Sequence, residues 1–441
     1  MLRVVESFSG IGSQAKALSN AEIPHEIVHT IEWDVNAILA YSMIHNKKID
    51  IDKYQHISDE EILEFLKKQT LSLDGKKPMD EKTLPKMSDR LQRILYTAIK
   101  DTHNLVSITD VKGMEIPENI DLFTYSFPCQ DLSLCGCWHG NKSGIAREAC
   151  NRSGMLWQVE RILKEMYEGG RRLPRFLLME NVPNILSKQH AADFGDWKET
   201  LQKMGYTNKI YRLTARNFGI PQKRERAYMI SILCNDNREL ERAVQGYFAK
   251  YNLEDTDYAN KQKRRQRLIK DVLRLDYRKT LYRIEAEFST PNDTPSRRKI
   301  LNDNDVLYSN GQVHEMIVNA VTTKQDRNPN SGVIMYDSVR ENKAPFRYLT
   351  PRECFMLMGF DEDDYERVIS INMKMPNGRM LYSTEKLIKM AGNSIVVDVL
   401  EAIFKQINEI NNLFFVSSNR DENVNKFQGD AEVKQLAFEC M

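Results

Sequence analysis

The sequence of 441 residues lacks several features that mark common classes of protein. No stretch approaches the roughly eighteen consecutive apolar residues that cross a bilayer, so no membrane span is expected. The start, MLRVVESFSG, has no long apolar segment and no small-residue cleavage pattern, so we expect a cytoplasmic protein without a secretory leader. The seven cysteines are odd in number and unevenly spread, which favours free thiols over a disulfide framework.

The chain also lacks an excess of charge. Its 63 Lys and Arg residues against 62 Asp and Glu residues leave a net charge of +1, so a polyanionic partner would need a local basic surface. Hydrophobic residues make up 41% of the chain, which is ordinary for a protein that buries a core. No internal repeat is visible. The length suits one large domain and a smaller one.

Strand-like apolar segments alternate with helical segments in the first half of the chain. The candidate strands are residues 2–8, 25–33, 105–111, 120–127 and 174–182. Alternation of this kind predicts βαβ units and an α/β fold with a parallel sheet. Ligands of such sheets bind at the carboxyl ends of the strands. That rule places five residues along one edge: Gly10, Glu32, Asp110, Cys129 and Glu180.

The turn FSGIGS after the first candidate strand indicates a nucleoside site. Glycines there let the backbone approach a ligand closely. An acid about 20 residues further on commonly holds ribose hydroxyls, and Glu32 lies at that distance from Gly10. The third glycine of the dinucleotide fingerprint is missing, which favours a single nucleoside such as S-adenosylmethionine over NAD or FAD.

The segment SFPCQDLS, residues 126–133, places Cys129 directly after a proline at the end of a strand. A thiolate nucleophile needs a lowered pKa or a partner that takes up charge as the bond forms. Glu180, at the end of another strand, could supply a proton to an electron-poor ring that the sulfur attacks. The alternative is an inert buried thiol, since free cysteine is often buried.

Six short motifs, in order along most of the chain, resemble the cytosine-C5 DNA methyltransferases. They are FSGIG (8–12), SFPCQDLS (126–133), MENV (179–182), QKRER (222–226), RYLTPRECFMLMGF (347–360) and GNS (392–394). Each is short, but six in the order of the family are specific. One departure is Ser13, where many members have another glycine. The early position of the first motif resembles bacterial or phage enzymes, including those of restriction-modification systems.

The resemblance implies the chemistry of the site. Cys129 would attack C6 of a cytosine flipped out of the duplex, and Glu180 would engage N3 and the exocyclic amine. Arg226, with Arg224 beside it, would hold the base and the neighbouring backbone. S-adenosylmethionine would donate the methyl group and leave as S-adenosylhomocysteine. Its expected surroundings are Phe8, Gly10, Gly12, Glu32, Trp33, Asp110, Val111, Pro128, Leu156 and Asn393.

The resemblance also implies the domain organisation. A catalytic domain with a Rossmann-like, S-adenosylmethionine-dependent methyltransferase fold would span 1–235 and be completed by 385–415, whose helix should return to the first strand. A smaller target-recognition domain would span 236–345, followed by a return segment at 346–384. The polar tail, 416–441, should be poorly ordered. The insertion between about 47 and 104 contains two amphipathic helices, and we interpret it as a solvated excursion.

Two further segments invite an interpretation. The run at 261–283 holds ten Lys and Arg residues against two Asp, and we expect it to neutralise DNA phosphates; a solvated helix face is the alternative. The loop at 321–332, VTTKQDRNPNSG, could reach base edges. CGCWH (135–139) with Cys150 lacks paired C-x-x-C spacing, so no metal is expected. A mobile loop beside the nucleophile is the alternative there.

The expected function is therefore DNA cytosine-5 methylation by a monomer acting on double-stranded DNA, with a restriction endonuclease for the same site as a possible partner. One alternative is a tRNA cytosine-5 methyltransferase. That branch usually carries Cys-Phe-Thr in its recognition region, whereas here Cys354 and Phe355 are followed by Met356 in another motif. A second alternative is a catalytically silent nucleic-acid-binding protein, against which the intact Cys129 and Glu180 argue.

Overall fold

The computed structural model describes residues 1–128, 145, 152–375, 378–417 and 421–428. Its strands are β1 Leu2–Ser7, β2 His25–Ile31, β3 Leu122–Tyr125, β4 Phe176–Asn181, β5 Tyr206–Thr214, β6 Gln222–Lys223, β7 Glu225–Leu233, β8 Val306–Ser309, β9 Gln312–Val313, β10 Val318–Asn319, β11 Val333–Met335 and β12 Phe346–Arg347. Its α-helices are α1 Ser13–Asn20, α2 Val35–His45, α3 Asp59–Lys67, α4 Asp89–Asp101, α5 Leu156–Glu168, α6 Ala191–Lys203, α7 Arg238–Lys250, α8 Thr256–Gln262, α9 Ile269–Val272, α10 Thr280–Phe288, α11 Pro295–Asp303, α12 Pro351–Leu357, α13 Glu362–Ser370, α14 Thr384–Asn393 and α15 Val397–Asn411.

A six-stranded sheet in the order β2-β1-β3-β4-β7-β5 forms the centre of the molecule. The pairs among β2, β1, β3 and β4 are parallel, whereas β7 runs antiparallel to both β4 and β5. Successive side chains of β3 alternate between two buried clusters, with Leu122 on one face and Phe123 on the other. Because both faces are covered, these strands read as continuous apolar runs. The predicted α/β fold is confirmed.

One predicted strand is wrong. Residues 105–111 contain no strand; Asn104 makes only a single parallel bridge to Thr30. The side chain of Asn104 accepts from the backbone N–H of Glu32 (3.1 Å) and donates to its carbonyl (2.9 Å). It therefore occupies the backbone groups that a continuing ladder would use, and the next residues turn away, with Val106 at φ 64°. Asp110 consequently lies on a loop and not at a strand end.

The insertion at 47–104 packs into the core. The two predicted helices are confirmed as α3 and α4, and Ser58 and Glu61 form a capping box at the start of α3. Their apolar faces, which include Ile62, Leu66 and Leu95, are buried in the same cluster as α2. The interpretation of this segment as a solvated excursion is wrong, because two amphipathic helices bury their apolar faces against a neighbour.

The last long helix that the structure describes lies beside the helix that follows the first strand. Helix α15 packs against α1, and the Asn20 side chain donates to Glu401 on α15 (2.7 Å). Beyond α15, residues 421–428 form a helix in which Phe427 is buried against Tyr247. The expectation of a poorly ordered tail is wrong for these eight residues. No helix in the described part of the chain is long and apolar enough to cross a membrane.

The chain from 238 to 273 packs with the large sheet. Phe248 on α7 contacts Tyr211 of β5, and Ile269 and Val272 of α9 lie in the core cluster of that domain. A second sheet, in the order β12-β11-β8-β9, begins later and accompanies α10 and α11. Helices α10 and α11 and strands β8, β9 and β11 of this sheet lie after residue 279, within the predicted recognition domain at 236–345, whose bounds stay a prediction.

Candidate active site

The turn after β1 leaves open space beside its backbone. Phe8, Gly10 and Gly12 all have positive φ angles of 56°, 55° and 81°. A Cβ on Gly10 would meet nothing within 4 Å, whereas one on Gly12 would overlap the rings of His45 and Tyr41. Glycine is therefore required at position 12 by its neighbours, while the space at Gly10 is available to a ligand.

Glu32 connects the end of β2 to this turn. Its carboxylate accepts from the backbone N–H groups of Gly10 (3.0 Å), Trp33 (2.9 Å) and Asp34 (2.8 Å). Burial, together with the nearby charge of Asp34, raises the pKa of Glu32 to about 7 against the lowering effect of the three hydrogen bonds. A carboxylate beside an open glycine turn supplies the hydrogen-bond acceptors and the space that ribose hydroxyls need. These residues therefore fit a nucleoside-containing methyl donor.

The other residues predicted to surround the methyl donor lie on several elements. Leu156 is fully buried at the start of α5, in the same cluster against which Phe8 packs. Asp110 is exposed and Val111 buried, on the loop that replaces the predicted strand. Arg161 of α5 fixes this loop by donating to the carbonyls of Ile108 (3.1 Å) and Val111 (2.8 Å). Asn393 is exposed at the end of α14, and its place beside the donor stays a prediction.

The end of β3 is tied to the end of β4. The side chain of Asn181 donates to the carbonyl of Phe127 (3.1 Å) and accepts from the backbone of Val182 (2.9 Å). Pro128 follows at once. Cys129, the predicted nucleophile, lies outside the described residues, as do Ser133, residues 135–139 and Cys150. Sequence reasoning missed Asn181 as a positioning residue, although its place beside Glu180 in MENV was a signal.

Glu180 and Arg226 form a shielded ion pair. The Arg226 Nε atom lies 3.3 Å from Glu180 Oε1, across the antiparallel pairing of β4 with β7. Glu180 is only 8% exposed. Burial raises its pKa above the ordinary value, while the positive charges of Arg226 and Arg224 oppose the shift. A buried carboxyl with a raised pKa keeps a proton more readily than an exposed one, and such groups are candidates for acid chemistry.

The comparison with known proteins identifies this arrangement. The profile of the C-5 cytosine-specific DNA methylase family matches residues 86–409. The chain belongs to this family. It is a DNA cytosine-5 methyltransferase, and the resemblance of the six motifs is confirmed.

Two relatives match this methyltransferase over nearly its whole length. Type II methyltransferase M2.ScrFI of Lactococcus lactis subsp. cremoris is 33% identical over 413 residues, covering 92% of this chain and 99% of that protein. Orphan methyltransferase M.SssI of Spiroplasma monobiae is also 33% identical over 413 residues, covering 92% and 97%. A solved structure of the Dnmt2 methyltransferase of S. pombe superposes with a TM-score of 0.55 at 19% identity, covering 93% of this chain and 99% of that one. That likeness supports the methyltransferase fold.

Arg224 contacts the backbone of two other segments of the chain. Its side chain is 5% exposed and donates to the carbonyls of Val321, Gly392 and Ser394, each at 2.9 Å. It therefore joins the QKRER turn of the methyltransferase to the 321–332 loop and the GNS motif. A guanidinium with three backbone acceptors is a structural strut. These contacts give Arg224 a structural part, and its predicted contact with the flipped base beside Arg226 stays a prediction.

Most arginines of the basic run at 261–283 form ion pairs with carboxylates of the same chain. Four of them pair with carboxylates of α13, α15 and the residue before α13: Arg264 with Glu401, Arg265 with Asp361 and Asp398, Arg267 with Asp361, and Arg274 with Glu362. The prediction of a phosphate-binding run is wrong for these four. The exposed cations that remain are Lys261, Lys270, Arg278, Lys279 and Arg283.

No cluster of three or more metal-binding side chains occurs in the part of the chain that the structure describes. The cysteines of the CGCWH segment, for which a zinc site was considered, lie outside it.

Proposed function

We propose that this methyltransferase acts through a covalent adduct between Cys129 and C6 of cytosine, with Glu180 as its acid partner. The observation that carries the proposal is the buried Glu180–Arg226 pair, one strand away from the segment that leads into Pro128 and Cys129. The Asn181 bond to Phe127 holds the two strand ends together. Neighbouring strand ends are where such a sheet assembles its chemistry.

The proposed steps balance as follows. The thiolate of Cys129 adds to C6, and the electrons of the 5,6 double bond move toward N3, where the proton of Glu180 relieves the charge. The resulting enamine makes C5 nucleophilic. S-adenosylmethionine, when bound, supplies an electrophilic methyl group. The C5–CH3 bond would form as the S–CH3 bond of the sulfonium breaks, and the proton at N3 returns to Glu180. A water molecule acting as base then takes the C5 proton, and its electrons restore the 5,6 double bond and expel the Cys129 sulfur as a thiolate. Arg226 holds the Glu180 carboxylate in place throughout.

We propose that S-adenosylmethionine binds at the turn after β1 and leaves as S-adenosylhomocysteine. Glu32 would accept from the ribose hydroxyls, and the open backbone at Gly10 would face the ligand. The full proposed set is Phe8, Gly10, Gly12, Glu32, Trp33, Asp110, Val111, Pro128, Leu156 and Asn393. What supports it is the contact of Glu32 with Gly10 and the space beside that glycine.

The affinity for S-adenosylmethionine should rise with pH between about 6 and 8. The pKa of Glu32 is about 7 in the ligand-free protein, so below that pH a proton must leave before the carboxylate can accept from a ribose. We expect the dissociation constant to fall by up to about tenfold per pH unit below pH 7 and to level off above it. Calorimetric titration over this range measures it. Glu32→Gln should bind more weakly and lose this component of the slope; equal slopes in both proteins would contradict the assignment.

We propose that the recognition domain spans about 236 to 345, with helices α10 and α11 and most of the second sheet after residue 279, and that it binds duplex DNA together with the loop at 321–332. The Gln325 side chain folds this loop by accepting from the backbone of Asn330 (2.9 Å), and Lys324 and Asn328 remain exposed. With the exposed cations of 261–283, they supply donors for phosphates and base edges. We propose a monomer that acts in the cytoplasm of a bacterium or of a cell infected by a phage. The relatives' names, type II and orphan methyltransferase, support a restriction-modification setting, with or without a cognate endonuclease.

The test is methyl transfer by the purified protein from labelled S-adenosylmethionine. Unmethylated plasmid DNA, the same DNA made single-stranded, and unmodified tRNA are offered in parallel, and the product is digested to nucleosides. We expect 5-methyldeoxycytidine from duplex DNA and no label in tRNA. Label in tRNA alone would favour the tRNA branch, and binding of DNA without any transfer would favour the silent alternative.

A further inference from the structure

A loop of the insertion forms backbone hydrogen bonds with the residues that follow β2. We call residues 32–36 the donor corner and residues 72–75 the insertion loop. Ser72 donates its N–H to the carbonyl of Trp33 (2.8 Å), and its carbonyl accepts from the N–H of Val35 (2.9 Å). These two bonds form an isolated parallel bridge between Asp34 and Ser72. The insertion therefore holds the donor corner from the side.

A lysine of α14 contacts both the donor corner and the insertion loop. The Lys389 Nζ atom lies 3.3 Å from Asp34 Oδ2 and also donates to the carbonyl of Asp74. The two charged side chains are 23% and 14% exposed, so the pair is largely shielded from water. Shielded pairs with a further hydrogen bond contribute more than exposed ones. Lys389 thus fastens the donor corner and the insertion loop to one helix.

A second lysine repeats the contact one turn earlier. Lys386 donates to the Asn36 side-chain oxygen (3.0 Å), and the Asn36 amide donates to the carbonyl of Leu73 (3.0 Å). Residues 386 and 389 lie on one face of α14, since they are three apart. Two side chains of α14 therefore contact the donor corner, and Lys389 contacts the insertion loop as well. The same helix ends at Asn393, in the GNS motif.

These contacts reach Glu32 directly. The backbone N–H of Asp34 donates to Glu32 Oε1 (2.8 Å), so the residue held by Lys389 also orients the carboxylate at the glycine turn. The charge of Asp34 raises the pKa of Glu32, and Lys389 is the cation that offsets this charge. Loss of Lys389 would free the donor corner and leave the Asp34 carboxylate less compensated.

We propose that Lys389 is a positioning residue for the methyl donor, and that the 47–104 insertion serves as a buttress of the donor corner through Ser72 and Asp74. The inference rests on the proposed donor site at Glu32. The insertion would then take part in binding the methyl donor. Substitution of Lys389 should weaken the affinity for the donor more than it lowers the rate of methyl transfer.

The experiment compares four proteins: wild type, Lys389→Met, Lys389→Arg and Lys67→Met. Lys67 is a matched control, because it lies on the insertion and pairs with Glu64 outside the donor corner, at the exposed surface (2.8 Å). Calorimetry measures the binding of S-adenosylmethionine without DNA, steady-state assays give its KM and kcat, and thermal unfolding reports on the fold. We expect Lys389→Met to bind the donor about tenfold more weakly, with KM raised in parallel and kcat changed by less than about threefold.

The other variants decide what the result means. Lys389→Arg should recover most of the affinity, and Lys67→Met should match wild type. Unchanged donor affinity in Lys389→Met, or a lower unfolding temperature with unchanged affinity, would overturn the proposal. Should Lys389→Met not fold, Lys386→Met carries the same expectation through Asn36, and its normal affinity would overturn it equally. Wild-type protein that fails to bind the donor at all would overturn the donor site itself, which is a distinguishable outcome.

Discussion

A Glu180→Gln variant should transfer methyl groups to cytosine about a thousandfold more slowly than wild type while remaining folded. Glutamine has the shape of glutamate and can still contact N3 and the amine of the base, but it cannot deliver a proton as the adduct forms. Burial raises the pKa of Glu180, which favours the protonated form that an acid needs. The rate of a single turnover at saturating donor and DNA measures the effect.

Glu225→Gln is the matched control for this substitution. Glu225 lies one residue from Arg226 on β7 and pairs with Arg212 (2.6 Å), but both side chains are exposed. It should keep nearly the wild-type rate, because exposed pairs contribute little. A Glu180→Gln rate within tenfold of wild type would contradict the acid role and leave Glu180 as a base-binding residue only.

Arg224→Met and Arg226→Met should fail in different ways, although the two arginines are neighbours in one motif. Arg224→Met leaves three buried carbonyls without their donor and should cost about 3 kcal/mol of unfolding free energy. Arg226→Met removes the cation beside Glu180 and should lower the rate about a hundredfold with a smaller loss of stability. Urea denaturation and single-turnover rates measured on both proteins separate the two effects.

The outcome that would reverse this assignment is equally clear. An Arg224→Met protein with wild-type stability and a large loss of rate would return Arg224 to the base-holding role that the motif alone suggests. The loop at 321–332 offers an independent check, because Gly392 packs against the backbone of Thr322 and Thr323 and shares Arg224 with it. Exchange of backbone amides in that loop should accelerate in Arg224→Met and stay unchanged in Arg226→Met.

The sequence predicts those strands and site residues that short local patterns of residues determine. Apolar runs predict strands β1 to β4. Gly10, Glu32 and Glu180 are predicted because ligands bind at the carboxyl ends of parallel strands. The strand predicted at 105–111 fails because one side chain, that of Asn104, takes the hydrogen bonds of Glu32. Such a choice depends on a partner 72 residues away in the sequence, so no local pattern reveals it.

The basic run at 261–283 shows that sequence alone does not reveal which carboxylates the arginines pair with. Arg265 looks like a phosphate ligand until Asp398, 133 residues later, is seen to pair with it. Local composition indicates that cations are present but not which carboxylates they meet. The insertion at 47–104 was misread for a related reason. Its amphipathic helices were recognised, but the surface that buries them belongs to α2, and the contact of Ser72 with Trp33 is a tertiary one.

The central claim is tested most directly by bisulfite sequencing of plasmid DNA from cells that produce this protein, beside a Cys129→Ala control. The account predicts protected cytosines within one short sequence in the first sample and none in the second. That result would establish the reaction, the nucleophile and the target sequence together. Unprotected DNA from cells in which the protein is folded and binds S-adenosylmethionine would contradict the account, as would equal protection in the Cys129→Ala sample.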